Sequence, residues 1–288
     1  MKLAVLADIH ANLAALEEIA AHIDHWQPDA VLVNGDTVNR GPRPRECWEF
    51  VRQRRAAGRP PWVILKGNHE EYVLAHGQPR PHLKAAEVQI FRTSEWAYQQ
   101  LGPGYISELD CLPFALELDE DVGWQALPTA KAIARCTHGS MLGIRDGIYL
   151  KTPDNTLRKQ IGENCPTLFA VGHTHQPLIR QIDQTLVVNV GAVGLPFDGD
   201  WRACYAQLTR HRHEWHATVM RREYDRTRTE HDYEDNGFLQ NGGPLCRLML
   251  RELQIARGQL HSWAQAYEAQ VMADELTVAE SVEAFLAR

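Results

Sequence analysis

The sequence predicts an α/β fold whose strands form either one mixed sheet or a pair of packed sheets. Short apolar runs without polar alternation are typical of strands that are buried on both faces. Helical patterns separate the early runs, which is the order expected of α/β architecture. Two later runs, residues 203–208 and 213–219, are joined by a short turn and indicate an antiparallel hairpin. The predicted buried strands span residues 2–7, 30–34, 62–66, 133–137, 168–171 and 186–190.

Three helices are predicted in the first hundred residues. Asn12 can cap a first helix whose apolar positions, including Leu16 and Ile23, fall on one face. A second helix is expected over residues 44–57, because proline is favoured in a first helical turn. A third helix is expected over residues 81–101.

The last part of the chain has a different character. Residues 226–243 are charged, rich in turn formers and almost free of aliphatic side chains, so we expect a linker or loop. Residues 244–271 carry apolar side chains at helical spacing. Thr277 and Glu280 have the spacing of a capping box for a final short helix. The expected division is a main domain, residues 1–224, followed by a linker and C-terminal helical appendage, residues 225–288.

Composition narrows the class of protein. The chain has 288 residues, 44% of them hydrophobic, and its formal net charge of -7 disfavours a nucleic-acid partner. Its six cysteines form no C-x-x-C pair and are expected to be reduced thiols. No apolar stretch approaches the roughly 18 residues of a membrane span. We therefore expect a cytoplasmic protein without a membrane partner.

Polar motifs follow five of the predicted strands at the point where each strand ends. Ligands of open α/β sheets collect at the carboxyl ends of strands, so these motifs should meet at one rim. A lone Asp or His at a strand end is usually a turn former, but the order and placement of five such motifs favour a shared site. The motifs are Asp8-Ile9-His10, Gly35-Asp36, Gly67-Asn68-His69-Glu70, Thr137-His138-Gly139 and Gly172-His173-Thr174-His175.

The mixture of side chains at this rim predicts a metal centre. Carboxylate oxygen, amide oxygen and imidazole nitrogen together suit divalent ions such as Mn²⁺, Fe²⁺, Zn²⁺ or Co²⁺. Seven candidate ligands are too many for one tetrahedral zinc site and suit two ions that share a carboxylate. Two ions roughly 3.5–4 Å apart form the clamp used in phosphoryl transfer, where a bridging hydroxide attacks phosphorus in line. The candidate ligands are Asp8, His10, Asp36, Asn68, His138, His173 and His175.

These motifs together resemble the calcineurin-like metallophosphoesterase superfamily over roughly the first 200 residues. Residues 189–194 are similar to a segment of its bacterial and archaeal phosphodiesterase branch, although Val190 and Ala192 depart from that segment. The helical appendage resembles those of asymmetric dinucleoside-tetraphosphate hydrolase-like members. The resemblance implies a four-layer αββα sandwich of two mixed sheets flanked by helices, with residues 1–224 as the catalytic domain.

The resemblance also implies a role for each matching residue. His69 would act on the substrate, either by protonating the leaving group or by stabilising developing charge. Arg40 lies in a loop similar to one in protein Ser/Thr phosphatases and diadenosine tetraphosphatases, where the arginine contacts substrate phosphate. The implied ligands are Asp8, His10 and His175 for one ion and Asn68, His138 and His173 for the other, with Asp36 bridging both.

The sequence therefore predicts a hydrolase that uses two divalent ions, from Mn²⁺, Fe²⁺, Zn²⁺, Co²⁺ or Ni²⁺. Its expected substrate is a small phosphodiester or phosphoanhydride, in particular a nucleotide. The alternatives are a phosphomonoesterase of the protein Ser/Thr phosphatase type, a nuclease, which the net charge disfavours, and a non-catalytic scaffold with the same fold. A scaffold typically loses ligands or the catalytic histidine, and this chain keeps them. The sequence leaves open the substrate, the native metals and whether the protein forms a homo-oligomer.

Overall fold

A computed structural model describes residues 1–79, 83–126 and 131–288, and two mixed β-sheets lie at its centre. Within these ranges, the first sheet has the strand order β11-β10-β1-β2-β3 and the second has the order β5-β4-β6-β7-β9-β8. The strands are β1 (Lys2–Leu6), β2 (Ala30–Asn34), β3 (Trp62–Leu65), β4 (Ala115–Asp119), β5 (Gly123–Ala126), β6 (Ala132–Thr137), β7 (Leu168–Val171), β8 (Leu178–Ile182), β9 (Thr185–Asn189), β10 (Ala203–His211) and β11 (Glu214–Arg222).

Helices cover the outer faces of both sheets. The 3₁₀ turn Ala75–Gly77 follows the third helix, and the π-helical segment Ala264–Glu268 joins two short helices near the C-terminus. The helices are α1 (Leu13–Trp26), α2 (Pro44–Ala57), α3 (Asn68–Leu74), α4 (Ala85–Ile90), α5 (Arg92–Asp110), α6 (Asp154–Ile161), α7 (Arg226–Asp235), α8 (Phe238–Asn241), α9 (Cys246–Ile255), α10 (Leu260–Trp263), α11 (Ala269–Met272) and α12 (Val278–Leu286).

Parallel strands lie next to one another in both sheets. In the first sheet β1, β2 and β3 are parallel, and in the second β6, β7 and β9 are parallel. The other pairings are antiparallel, including β10 with β11, which is the predicted hairpin. The chain therefore leaves β1, β2, β3, β6 and β7 into loops that meet at the candidate site.

Both faces of the central strands are buried. Along β1, Leu3 and Val5 pack into the core between the two sheets, whereas Ala4 and Leu6 pack against the helical layer. This arrangement explains the apolar runs without polar alternation, because neither face of these strands meets water. The predicted sandwich of two mixed sheets flanked by helices, with further helices at the C-terminus, is confirmed.

The predicted capping signals are present in the first and last helices. The side chain of Asn12 accepts a hydrogen bond from the N–H of Ala15 at 3.2 Å and begins α1. Thr277 and Glu280 form the predicted capping box of α12.

The predicted second helix coincides with α2. Part of the predicted third helix, at residues 81 and 82, lies outside the described residues, and the remainder is divided between α4 and α5.

Two sequence predictions near the C-terminus are wrong. Residues 226–243, predicted as a loop, contain α7 and α8, because Tyr233 and Phe238 pack into the core beside Trp96. Residues 244–271, predicted as one helix, are interrupted after α9, where Ala256 has a left-handed backbone with φ of 51°. Among the described residues, the helices lack the length and the hydropathy that a membrane span requires.

Candidate metal centre

Left-handed backbone conformations are concentrated among the predicted ligands. The φ angles are positive at Asp8, His10, Asp36, His173 and His175, with values from 46° to 68°. A side-chain-bearing residue in this region costs on the order of 1–3 kcal/mol and persists only when the surrounding structure holds it there. Backbone hydrogen bonds between the loops after β1 and β2 contribute to this restraint. Strained residues of this kind cluster at functional sites, and here they lie at one edge of the sandwich.

Close contact between two loops depends on glycine. Gly35 has a φ of 84°, and a Cβ there would lie 2.7 Å from the Cα of Gly67. A Cβ on Gly67 would lie 2.1 Å from Oδ1 of Asp36. The loops after β2 and β3 can therefore approach each other closely enough to place Asp36 beside Asn68.

The carboxylate of Glu70 holds the same two loops together. Burial and the neighbouring Asp36 raise the pKa of Glu70 to about 7, while hydrogen bonds from backbone N–H groups oppose that shift. These bonds stabilise the charged form and fix the loop that carries Asp36. Its carboxylate accepts hydrogen bonds, at 2.7–3.2 Å, from the N–H groups of Gly67, Asp36, Thr37 and Val38.

The first group of candidate ligands contains Asp8, His10, Asp36 and His175. Nε2 of His175 lies 3.2 Å from Oδ1 of Asp8 and 3.1 Å from Nε2 of His10. Nε2 of His10 lies 3.8 Å from an oxygen of each aspartate. One ligand atom from each residue falls within 4.8 Å of the others, which is close enough to surround one ion.

The second group shares Asp36 with the first and adds His138 and His173. Nε2 of His138 lies 3.1 Å from Oδ2 of Asp36 and 3.1 Å from Oδ1 of Asn68. Nδ1 of His173 lies 2.8 Å from the same oxygen of Asn68. The structure thus brings all seven predicted ligands together, in two groups that meet at Asp36.

Backbone carbonyl groups orient three of the histidines. Nδ1 of His10, His138 and His175 lies 3.3, 2.9 and 2.6 Å from the carbonyl oxygens of Asn39, Asn34 and Leu195, respectively. A proton on each Nδ1 satisfies that carbonyl and leaves the Nε2 lone pair directed into the centre. Metal-bound histidines commonly have this arrangement, in which the second ring nitrogen donates to a fixed acceptor.

The centre concentrates negative charge in a buried place. Oδ1 of Asp8 and Oδ2 of Asp36 are buried, and the imidazole nitrogens of His175 and His138 lie 3.2 and 3.1 Å from them. Burial opposes ionisation of Asp36, but His138 and His69 hold the pKa of its carboxyl well below the usual value. Burial lowers the pKa of His138, but Asp36 and Asp8 outweigh it and raise that pKa to about 10. A proton on His138 therefore offsets the charge of these two aspartates, at the place where a cation would do the same.

His69 lies beside the two groups and contributes no atom to either. Its ring meets that of His10 edge-on, with 4.9 Å between the ring centroids. Desolvation lowers the pKa of His69 to about 3, although Asp36 opposes the shift, so the ring is neutral at physiological pH. The backbone N–H of His69 donates a hydrogen bond to Oδ1 of Asp36 at 2.8 Å.

Arg40 occupies the wall next to the first group and contacts the C-terminal helices. Its Nη2 lies 2.5 Å from Oε2 of Glu252 in α9. Its guanidinium carbon lies 5.6 Å from the ring centroid of Phe197, and that ring stacks on His175 at 4.2 Å. Nε of Arg40 is buried and has no hydrogen-bond partner among the described residues. The arginine that the sequence predicts to bind substrate is therefore next to the centre, with its Nη2 already bound to Glu252.

Sequence reasoning left several supporting residues without a role. Glu70 lies three residues after Gly67 in the motif Gly67-Asn68-His69-Glu70. This is the spacing of a capping box, and it could have predicted that Glu70 stabilises the start of a helix. Asn189 donates through Nδ2 to the carbonyl of Gly172 at 2.7 Å and to Oγ1 of Thr174 at 2.8 Å. Asn39 contacts His69. Asn39 and Asn189 act through backbone and side-chain contacts that only the folded chain creates.

Comparisons with known proteins identify a matching family and relatives of the same fold. Residues 1–177 match the family model for the calcineurin-like phosphoesterase domain. A metallophosphoesterase structure from Sphaerobacter thermophilus is 26% identical and superposes with a TM-score of 0.67, over 89% of this chain and 99% of that one. The hypothetical protein PH1004 from Pyrococcus horikoshii OT3 has the same fold, with a TM-score of 0.69 at 18% identity, over 85% and 97% of the two chains. An uncharacterized protein of Methanocaldococcus jannaschii, MJ0912, is 24% identical over 77% of this chain and 88% of its own.

Proposed function

Because the chain belongs to the calcineurin-like phosphoesterase family, we propose that it hydrolyses phosphodiester or phosphoanhydride bonds of a small nucleotide substrate, using two divalent cations. The family and the buried Asp/His cluster fit a metal-dependent phosphoesterase. The observation that carries the binuclear proposal is that Asp36 belongs to both groups of candidate ligands, and that the buried oxygens Oδ1 of Asp8 and Oδ2 of Asp36 face the candidate histidine ligands. A buried carboxylate oxygen in this position needs a proton or a cation.

The residues present fit two ions. One ion would be held by Asp8, His10 and His175, and Asp36 would be shared with the second. The second would be held by Asn68, His138 and His173 together with Asp36. A mixed set of oxygen and imidazole ligands suits Mn²⁺, Fe²⁺, Co²⁺, Ni²⁺ or Zn²⁺.

Bound there, two cations would polarise the phosphoryl oxygens and lower the pKa of an attacking water. The chain's own residues would complete the reaction. His69 would donate a hydrogen bond to the leaving-group oxygen, because its ring lies beside the centre and outside both ligand groups. Arg40 would contact a phosphoryl oxygen through Nε, the donor that has no partner in the described chain.

The preference for diesters or anhydrides over monoesters comes from the resemblance of residues 189–194 to the phosphodiesterase branch. Asn189 in that segment supports the loop of His173 and His175 through its contacts with Gly172 and Thr174. The second candidate function is a protein Ser/Thr phosphatase-type monoesterase, which the loop of Arg40 favours. A scaffold without catalysis is disfavoured because His69 and all the candidate ligands are retained.

A metal-dependent substrate panel tests the proposal. The protein is stripped with chelator and reloaded with Mn²⁺, Co²⁺ or Mg²⁺. It is then assayed on bis-p-nitrophenyl phosphate, p-nitrophenyl phosphate, diadenosine tetraphosphate, cyclic AMP and a phosphopeptide. We expect two transition-metal ions per chain and faster turnover of diesters or anhydrides. If p-nitrophenyl phosphate or the phosphopeptide is the best substrate, the monoesterase alternative replaces this one.

We also propose that the protein works in the cytoplasm. All six cysteines are free thiols, and Cys47, Cys136, Cys204 and Cys246 are buried. Buried thiols of this kind are typical of a reducing compartment. Fractionation of the native cells followed by detection of the protein would test this proposal, and recovery outside the cytoplasm would reject it.

A further inference from the structure

A cavity of about 210 Å³ opens directly beside the candidate metal centre. One wall belongs to the centre itself and contains Asn39, Arg40 and His69. The opposite wall comes from the C-terminal helices, so the cavity exists only where these helices lie against the loops after β2 and β3. That opposite wall includes Leu245, Met249, Leu260, Trp263 and Ala264.

The walls of the cavity are largely apolar. Leu245, Met249 and Trp263 are buried, and all three line it. Two polar residues, Thr93 and Ser94, also line it and are likewise buried. Ligand pockets commonly combine apolar and aromatic surface with a few polar groups in this way.

The charges around the cavity disfavour a second anionic group. Arg40 is the only cationic side chain among the described residues that line it, and Glu252 already binds one end of that guanidinium. Glu268 adds a carboxylate at the exposed side. A further phosphate in the cavity would meet these acids without a free cation, so an uncharged occupant fits better.

The size of the cavity fits a flat ring system. An engineered apolar cavity of about 150 Å³ holds one benzene molecule, so the present cavity suits one or two fused rings. A planar ring can also meet the aromatic surfaces of Tyr72 and Trp263, both of which line the cavity. His69 lines the cavity and its ring also meets His10 of the metal centre, so the cavity and the centre are close enough for the ring and the phosphoryl group of one substrate.

We propose that this cavity binds the uncharged ring of the substrate, a nucleobase or a group of similar size and shape, while the phosphoryl group lies at the metal centre. The proposal rests on the proposed function and assigns the substrate's organic part to the C-terminal helices. These helices are thus part of the substrate-binding surface as well as a cover for the apolar edge of the sandwich.

Direct binding measurements test the assignment without requiring turnover. The metal-loaded, full-length protein is titrated calorimetrically with non-hydrolysable phosphonate analogues of adenosine 5′-monophosphate and ribose 5-phosphate, which differ only in the base. We expect the adenosine analogue to bind at least about tenfold more tightly. Ala264→Phe should fill the cavity and remove most of this difference. Ala266→Phe, an exposed site two residues away, is the matched control and should keep it.

The outcomes separate the two proposals. Equal affinity of the wild-type protein for both analogues overturns the cavity assignment, as does a preference that survives in Ala264→Phe. If Ala264→Phe does not fold, Leu260→Trp obstructs the same cavity from a half-buried position and takes its place. A base preference in a protein that hydrolyses nothing on the panel would instead support the cavity and reject the proposed reaction.

Discussion

The amide of Asn39 donates a hydrogen bond from Nδ2 to Nδ1 of His69 at 3.0 Å. The orientation of this amide is fixed, because its Oδ1 accepts the N–H of Arg40 at 2.8 Å and its Nδ2 also donates to Oγ of Ser94 at 2.9 Å. Nδ1 of His69 is therefore an acceptor, and the proton of the neutral ring is on Nε2. Asn39 presents His69 as a hydrogen-bond donor.

Replacing Asn39 with Asp should change the pH profile of the enzyme. The carboxylate would accept a hydrogen bond from a protonated Nδ1 of His69, which would raise the pKa of His69 and leave Nε2 unprotonated in the neutral ring. Activity on a substrate with a poor leaving group should then fall as pH rises through the new pKa of His69. The pH–rate profile of the wild-type protein should lack this decline. The measurement is kcat against pH for wild type and variant. Superimposable profiles would contradict the assigned tautomer.

His69→Ala should separate chemistry from metal binding. We expect kcat on a substrate with a poor leaving group to fall by about 10²–10⁴-fold, since this is the usual contribution of a positioned proton donor. The loss should be smaller for p-nitrophenolate, which needs little protonation. Metal content should be unchanged, whereas His173→Ala should lose metal. A missing metal equivalent in His69→Ala would show that the division of roles is wrong.

Asp36→Asn should weaken both ions together. Asp36 belongs to both ligand groups, and its replacement removes a negative charge that each ion would share. Metal analysis after dialysis should show parallel losses as the free metal concentration falls. Asp8→Asn provides the comparison, because Asp8 belongs to the first group alone. This variant should lose mainly one of the two metal equivalents. Independent loss of a single ion in Asp36→Asn would reject the bridging role.

Metal binding at pH 8 should release a proton from His138. The neighbouring aspartates overcome burial and raise the pKa of His138 from 6.5 to about 10, so the metal-free protein holds that proton at pH 8. An ion that takes Nε2 must displace it, and apparent affinity should rise with pH up to about 10. Calorimetric titration in two buffers with different ionisation heats measures the release. A binding heat that does not depend on the buffer would oppose this prediction.

The same proton links pH to the stability of the metal-free fold. Because the folded-state pKa of His138 is raised, its stabilising contribution is complete below about pH 6.5 and is lost as pH rises through about 10. Denaturant unfolding of the chelator-treated protein between these limits should show the decline.

Gly67→Ala should damage the site through a direct collision. The new Cβ would lie 2.1 Å from Oδ1 and 2.4 Å from the backbone nitrogen of Asp36, which cannot both move without displacing the ligand. We expect a loss of about 1–3 kcal/mol in the free energy of unfolding, together with weaker metal binding. Gly104→Ala is the control, because a Cβ there meets nothing within 4 Å. Equal stability of the two variants would contradict the close approach described here.

The sequence predicted best what depends on local pattern. Strands such as β2 and β7 were recognisable because burial on both faces leaves an uninterrupted apolar run. The candidate ligands were recognisable because parallel strands end at one edge, so their order along the chain indicated their proximity in space. Their grouping around Asp36 came from the family resemblance, and it stays a prediction until metal is measured.

The remainder depended on contacts between distant segments. The pairing of Arg40 with Glu252 joins residues that are 212 positions apart, and no periodicity marks it. The break after α9 is stabilised by Glu252, whose Oε1 accepts the N–H groups of Gln259 and Leu260. The sequence did not predict α7, because this helix has few apolar positions and no helical periodicity of hydrophobic residues. Packing of Tyr233 into the core stabilises it. The predicted boundary near residue 224 also stays a prediction.

The long separation of His10 and His175 along the sequence has a consequence for the synthesis of the protein on the ribosome. These rings lie side by side at the centre although they are 165 positions apart in the sequence. At about 5–20 residues per second, roughly 8–33 s pass between synthesis of the first histidine and synthesis of the last. During that interval Asp8, His10 and Asp36 lack the fourth member of their group, His175. The first group of four candidate ligands therefore cannot be complete before the segment Gly172-His173-Thr174-His175 has been synthesised.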